Sequence, residues 1–171
     1  MAVLRSPYPP DPDDDAVAPT ELGDLVDAVV EGREWSNLRA MRSTLRRVEL
    51  RLCRLTGTEL AESTLEDVTF EECRLDLAGL RFARLERVVF RDCRMADCDL
   101  GGATFEDVLF ERCELREADV SAAKLKRVEL RGCDLEGLRG VEALRGARLP
   151  WNDVLQNAPL FAAALGIEMV D

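Results

Sequence analysis

The sequence predicts an all-β solenoid: a four-sided β-helix closed at its C-terminal end by a short helical cap. Three observations carry this. Large apolar residues recur every five positions from Leu45 to Leu135. A second period of 20 residues runs through the same stretch. The pattern stops near Gly137–Gly140, and the chain beyond Pro150 carries helix signals instead.

The five-residue period is unbroken. Nineteen positions from Leu45 to Leu135, including Phe70, Met95, Phe110 and Val120, are all large and apolar. Two residues before each stands a small or β-branched one, from Ser43, Val48, Cys53 and Thr58 through to Cys133. Neither a 3.6-residue helix nor an alternating strand keeps a period of five in register for so long.

The 20-residue period makes the figure four-sided. Val48, Val68, Val88, Val108 and Val128 form one set, and Cys53, Cys73, Cys93, Cys113 and Cys133 another. A coil of 20 residues stacks each set into a column with members about 4.8 Å apart, the spacing of neighbouring strands. The small residue and the large one point inward, and the residues between point out. Nineteen such sides make nearly five coils, a body roughly 24 Å long at that rise. The cysteines read as small core residues, because Ala, Ser, Thr and Val occupy equivalent slots.

The pattern resembles the pentapeptide-repeat family, whose unit A(D/N)LXX has a central Leu or Phe and a small residue two before it. The resemblance covers Ser43 to Leu135. It implies a right-handed quadrilateral β-helix in which each repeat is one side. The residue before the central one, often Asp or Asn in the family, is frequently Arg, Glu or Thr here.

The ends follow different rules. Residues 1–20 are rich in Pro and Asp and read as a flexible acidic arm; residues 1–40 carry nine acids and three bases. Residues 21–42 read either as a short helix with Leu22, Leu25, Val26, Val29 and Val30 on one face, or as a degenerate first coil in which Leu25, Val30 and Trp35 keep the five-residue phase. In both, Trp35 and Leu38 close the core. The repeat body is 43–137. Residues 138–171 read as a partial last coil followed by a cap: a short helix starting near Asn152 or Asp153, a second starting at Pro159, a stop at Gly166, and a terminal strand over Ile167–Val170. Trp151, Leu155, Leu160 and Phe161 are the cap's apolar anchors, or a homodimer contact, since some relatives in the family dimerise through a C-terminal helix.

Composition bounds the function. With no histidine, Ser-His and Cys-His catalytic pairs and histidine metal sites are excluded. There is no Gly-rich phosphate loop and no nucleophile elbow, so no catalytic, cofactor-binding or metal-binding residues are assigned and an enzyme is not expected. A net charge of −11 argues against direct nucleic-acid binding. Met1–Pro10 lacks the apolar run of a secretory signal, and no stretch is long and apolar enough for a membrane span. A cytoplasmic, reduced protein without a cofactor is the expectation.

What remains is the outer surface, and the expected role is a rigid protein-interaction module. The resemblance implies a specific partner: quinolone-resistance members of the family bind DNA gyrase, a type II topoisomerase, by imitating duplex DNA. The most acidic side is the one with Leu60 and Leu80, carrying Glu59, Glu62, Asp99 and Asp119 against a single base. Outward Val89 and Leu109 on adjacent rungs suggest either a partner contact or cover by the arm. Arg51, Glu71, Arg91, Glu111 and Arg131 alternate in sign along one column and read as self-paired, whereas the like-charged column Arg54, Arg74, Arg94 is either relieved by diagonal acids such as Asp76 and Asp97 or holds an anionic partner.

Overall fold

The computed structural model describes residues 3–12 and 21–170. Six strands, β1 (Leu25–Glu31), β2 (Thr44–Arg51), β3 (Thr64–Glu71), β4 (Arg84–Arg91), β5 (Thr104–Glu111) and β6 (Lys124–Arg131), form one parallel sheet in chain order. Every pairing shifts the register by one coil: Leu45 faces Leu65, Val68 faces Val88, Phe90 faces Phe110. The remaining sides are joined by single bridges in the same register, such as Arg54 with Arg74 and Asp99 with Asp119. The chain is therefore the right-handed quadrilateral β-helix that the repeat predicts.

The interior explains the period. From Leu45 to Phe105 every central residue is at most 2% exposed. Phe70, Phe90 and Phe110 stack with centroids 4.8 and 5.0 Å apart and rings nearly parallel, so the coil rise is also a ring-stacking distance. The slot two before each centre holds small or β-branched side chains. The cysteine column fills it, and each thiol donates to a carbonyl one coil below: Cys73 Sγ to the Leu50 carbonyl at 3.3 Å, Cys93 to that of Phe70 at 3.5 Å. Burial pushes the Cys98 thiol well up, as expected of an inert core group.

Turning the chain every five residues has a backbone consequence. The residue two after each central one, from Asp27 to Gly137, has positive φ, and most are not glycine; Leu77 has φ 61° and Phe82 56°. Each such residue other than Gly, Asn and Asp costs about 1 kcal/mol or more, and the parallel hydrogen bonding of neighbouring coils over-determines it.

At the N-terminal end, residues 25–40 adopt the five-residue phase rather than a helix. Leu25 pairs with Leu45 and Val30 with Leu50, and Trp35 is buried. Leu38, expected beside Trp35, is exposed, because no described coil lies beneath the first to cover it.

At the other end a 3₁₀ turn (Val141–Leu144) leads to Arg148, which bridges Glu129. Two helices follow, α1 (Trp151–Gln156) and α2 (Ala158–Ala164). Pro150 occupies the N-cap of α1, and Asp153 does not cap it but accepts the Gly132 N–H at 2.6 Å, tying the helix to the last coil. Pro159 lies in the first turn of α2. Gly166, φ 69°, ends α2 in a Schellman motif: its N–H donates to the Ala163 carbonyl and the Ile167 N–H to that of Ala162. Ile167–Val170, expected as a strand, forms none; Arg148 already bridges the edge of β6, and these residues stay exposed.

Candidate interaction surface

The acidic side is a straight column: Arg39, Glu59, Gly79, Asp99, Asp119 and Arg139 pair in sequence, one per coil. Glu59 lays its carboxylate over Gly79, where a Cβ has no room. Asp99 pairs with Arg81 at 3.1 Å. Asp119 accepts the Ser121 N–H at 2.8 Å, and hydrogen bonds from Ser121 hold its carboxyl below the usual carboxylate range. Glu62, at the neighbouring corner, pairs with Arg42 at 3.0 Å. The column is thus acidic in the middle and bounded by arginines at both ends.

The alternating column self-pairs as its sign pattern dictates, Arg51 with Glu71 at 3.6 Å and Arg91 with Glu111 at 2.8 Å. The arginine column is bracketed by acids: Arg54 meets Glu34, and Arg94 meets Asp76 and Glu114. Both arrangements are ion pairs open to solvent on at least one side, of small individual worth.

Val89 and Leu109 stand between Thr69 and Glu129 in one column. Val89 is buried and Leu109 half-buried, and Leu109 borders a crevice shared with Val3, Leu4 and Ser6 of the N-terminal arm. Leu52, Leu77 and Phe82 are exposed at corners. The Phe82 ring lies over Gly102, with the Arg81 guanidinium 5.2 Å from its centroid.

The most built feature of the surface is one the sequence reading did not single out. Asp27, Arg47, Asp67, Arg87, Asp107 and Arg127 recur every 20 residues at one corner. Arg87 holds Asp67 with Nε at 2.6 Å and Nη2 at 3.1 Å, and Arg127 holds Asp107 with both at 2.6 Å; Arg47 grips Asp27 in the same way. Glu66 and Glu106 bond the same two upper arginines at 2.7 and 2.8 Å. These charge-assisted forks hold the carboxyls of Asp27 and Asp107 below the ordinary range, Arg47 and Arg127 being the main cause. The signal was available as an alternating Asp/Arg set at the coil period.

The arm meets this ladder. Its main-chain N–H groups donate to the aspartates: Arg5 to Asp107 at 3.2 Å, Tyr8 to Asp67 at 3.1 Å, Asp11 to Asp27 at 3.3 Å. The Arg87 guanidinium lies 5.8 Å from the Tyr8 ring centroid. Residues 1–2 and 13–20 of the expected arm fall outside the described residues.

At the C-terminal cap the four anchors separate. Leu160 and Phe161 pack against the core, while Trp151 is 72% exposed and Leu155 55%.

One parallel sheet wound into in-register coils around a largely apolar interior defines a quadrilateral β-solenoid. The chain belongs to the pentapeptide repeat family: the family described as Pentapeptide repeat region matches residues 43–119 and 63–139. Among solved structures it is similar to a pentapeptide repeat protein from the Arabidopsis thaliana thylakoid lumen, with TM-score 0.54 and 21% identity over 63% of this chain and 71% of that one, a likeness of fold. It also aligns with full-length QnrB1, a plasmid-mediated fluoroquinolone resistance protein, at TM-score 0.37 and 16% identity over 86% of this chain and 83% of that one. HetL of Nostoc sp. strain PCC 7120, involved in heterocyst differentiation regulation, aligns at TM-score 0.38 and 15% identity over 77% and 90%. No curated protein matches the chain.

Proposed function

We propose that this protein is a rigid, non-catalytic interaction module that binds a partner protein through its outward side chains. The observation that carries this is the use of the interior. The inward positions of the repeat body are taken up by packing, which leaves only the sides to tell one partner from another. A cytoplasmic location belongs to the same reading and suits six unbridged, buried thiols.

The acidic column favours a topoisomerase as partner. Asp99 and Asp119 stand on adjacent rungs, with Glu59 two rungs below Asp99. A carboxylate row at strand spacing imitates a phosphate row, although less densely than duplex DNA, which carries a charge about every 1.7 Å. Supercoiling by purified DNA gyrase, titrated with the full chain, tests it. Inhibition at micromolar concentration that weakens with salt and is lost in Asp99→Asn/Asp119→Asn supports the mimic. Undiminished supercoiling removes the topoisomerase and leaves the module with another partner.

The cap favours an assembly role beside partner binding. Trp151, Leu155 and Leu165 present exposed apolar surface at the C-terminal end of the rod, the face that a tail-to-tail copy would cover.

A further inference from the structure

The arm and the ladder share a metric. Residues 5, 8 and 11 donate to Asp107, Asp67 and Asp27, so three residues of arm span two coils of rod. Three residues of polyproline II cover about 9.3 Å. Two coils at strand spacing cover about 9.6 Å. The two lengths agree to within a few tenths of an ångström, so the hydrogen bonds repeat along the column without drifting out of register.

The sequence of the arm matches this geometry. Positions 7, 9, 10 and 12 are proline and have no N–H to give. The three N–H groups that meet the aspartates belong to non-proline residues spaced three apart. Leu4, Pro7 and Pro10 are the half-buried positions of the arm, again every third residue, and the intervening ones are exposed. Proline content, donor spacing and burial therefore share a period of three, the repeat of the polyproline II helix.

The receiving side is held by ion pairs within the rod itself. Each aspartate is oriented by the arginine one coil above, and with the arm in place Asp67 and Asp107 are 4% and 1% exposed. Oriented acceptors at a fixed spacing, beside the apolar pair Val89 and Leu109 and an arginine placed to meet a Tyr ring, make a groove that reads an extended backbone.

We propose that the corner Asp27–Asp67–Asp107, with its arginines, is a recognition groove for polyproline II peptides carrying a non-proline residue at every third position, and that residues 4–11 occupy it in cis. The arm is the resident ligand and guards the groove. A proline-rich segment of a partner protein enters by displacing it, against the roughly millimolar effective concentration of a tethered ligand.

Fluorescence polarisation tests this with a fluorescein-labelled peptide of sequence 3–12. The receiver is the full chain carrying Arg5→Pro, Tyr8→Pro and Asp11→Pro, which removes the three donors and keeps the arm extended. The expected result is saturable binding to this variant at least ten-fold tighter than to the unaltered chain. A control peptide with the same three positions changed to proline does not bind, and Asp67→Asn with Asp107→Asn in the receiver weakens binding at least ten-fold while the circular dichroism spectrum is retained. Absence of saturable binding up to millimolar peptide overturns the proposal. So does equal binding of the control peptide, which needs no change to the rod and stays decisive if the asparagine variants misfold.

Discussion

Asp107 and Arg127 stand one coil apart at a corner of the rod, joined by two hydrogen bonds of 2.6 Å, with the Asp107 side chain 1% exposed. Removing the aspartate breaks both bonds of the fork and leaves Arg127 with Glu106 alone. Asp107→Ala is expected to destabilise the protein by about 2–3 kcal/mol, measured by denaturant unfolding.

The same pair sets an acid response. The Asp107 carboxyl is depressed in the folded state, chiefly by Arg127, against about 3.9 in the unfolded chain. Its contribution is complete above that unfolded value and is lost as pH falls through the folded one. The stability gap between the unaltered chain and Asp107→Asn is therefore constant from pH 6 to 8 and narrows below about pH 4. A gap that widens on acidification contradicts the assignment.

Phe82 and Gly102 occupy successive rungs of another corner. A Cβ on Gly102 meets the Phe82 ring at 2.5 Å, and the Gly102 φ of 67° is itself unfavourable for a side chain. Gly102→Ala is expected to cost about 1–2 kcal/mol from backbone strain, with the ring collision added. In a Phe82→Ala background only the strain remains, so the double mutant loses less stability than the two single mutants summed.

Phe90 sits between Phe70 and Phe110 and is fully buried. Phe90→Ala opens a cavity that a cylinder bounded by hydrogen-bonded walls has little freedom to close. A loss of about 3–5 kcal/mol is expected. Leu77→Ala, at an exposed corner, stays within about 0.5 kcal/mol. Equilibrium unfolding of the two variants separates the inside of the repeat from its outside.

Much of this architecture was legible because the repeat is a statement about the inside. Leu45, Leu50 and Leu55 point inward for the same steric reason, so one period revealed the coil and its multiple of four the columns. The corners were less legible. Gly57 and Gly102 advertise a left-handed turn, but Leu77, Phe82 and Arg87 hold the same conformation and are not residues that favour it. The Asp27–Arg127 ladder was in the sequence at the coil period, yet its three aspartates and three arginines cancel in net charge and leave no excess to mark it. Where the arm sits rests on a match between two unrelated lengths, the polyproline step and the coil rise, and no local pattern encodes that. The end of the chain misled for a related reason: Ile167–Val170 has strand composition, but strand formation there required an edge that Arg148 already occupied.

The cap allows its two roles to be separated by choice of residue. Phe161 packs on the end of the core, so Phe161→Asp undocks α2 and is expected to cost about 2 kcal/mol whatever the oligomeric state. Leu155 is exposed, so Leu155→Asp leaves the stability of a single chain within about 0.5 kcal/mol. If the exposed face of α1 joins two copies, light scattering of the unaltered chain gives a mass near 38 kDa, twice the 19.1 kDa of the chain, and Leu155→Asp returns it to that of one chain with its unfolding midpoint at low concentration unchanged. A monomer in both cases reduces Trp151 and Leu155 to bystanders of the cap. It also places the partner contacts of this rod on its sides, where the acidic column and the arm groove lie.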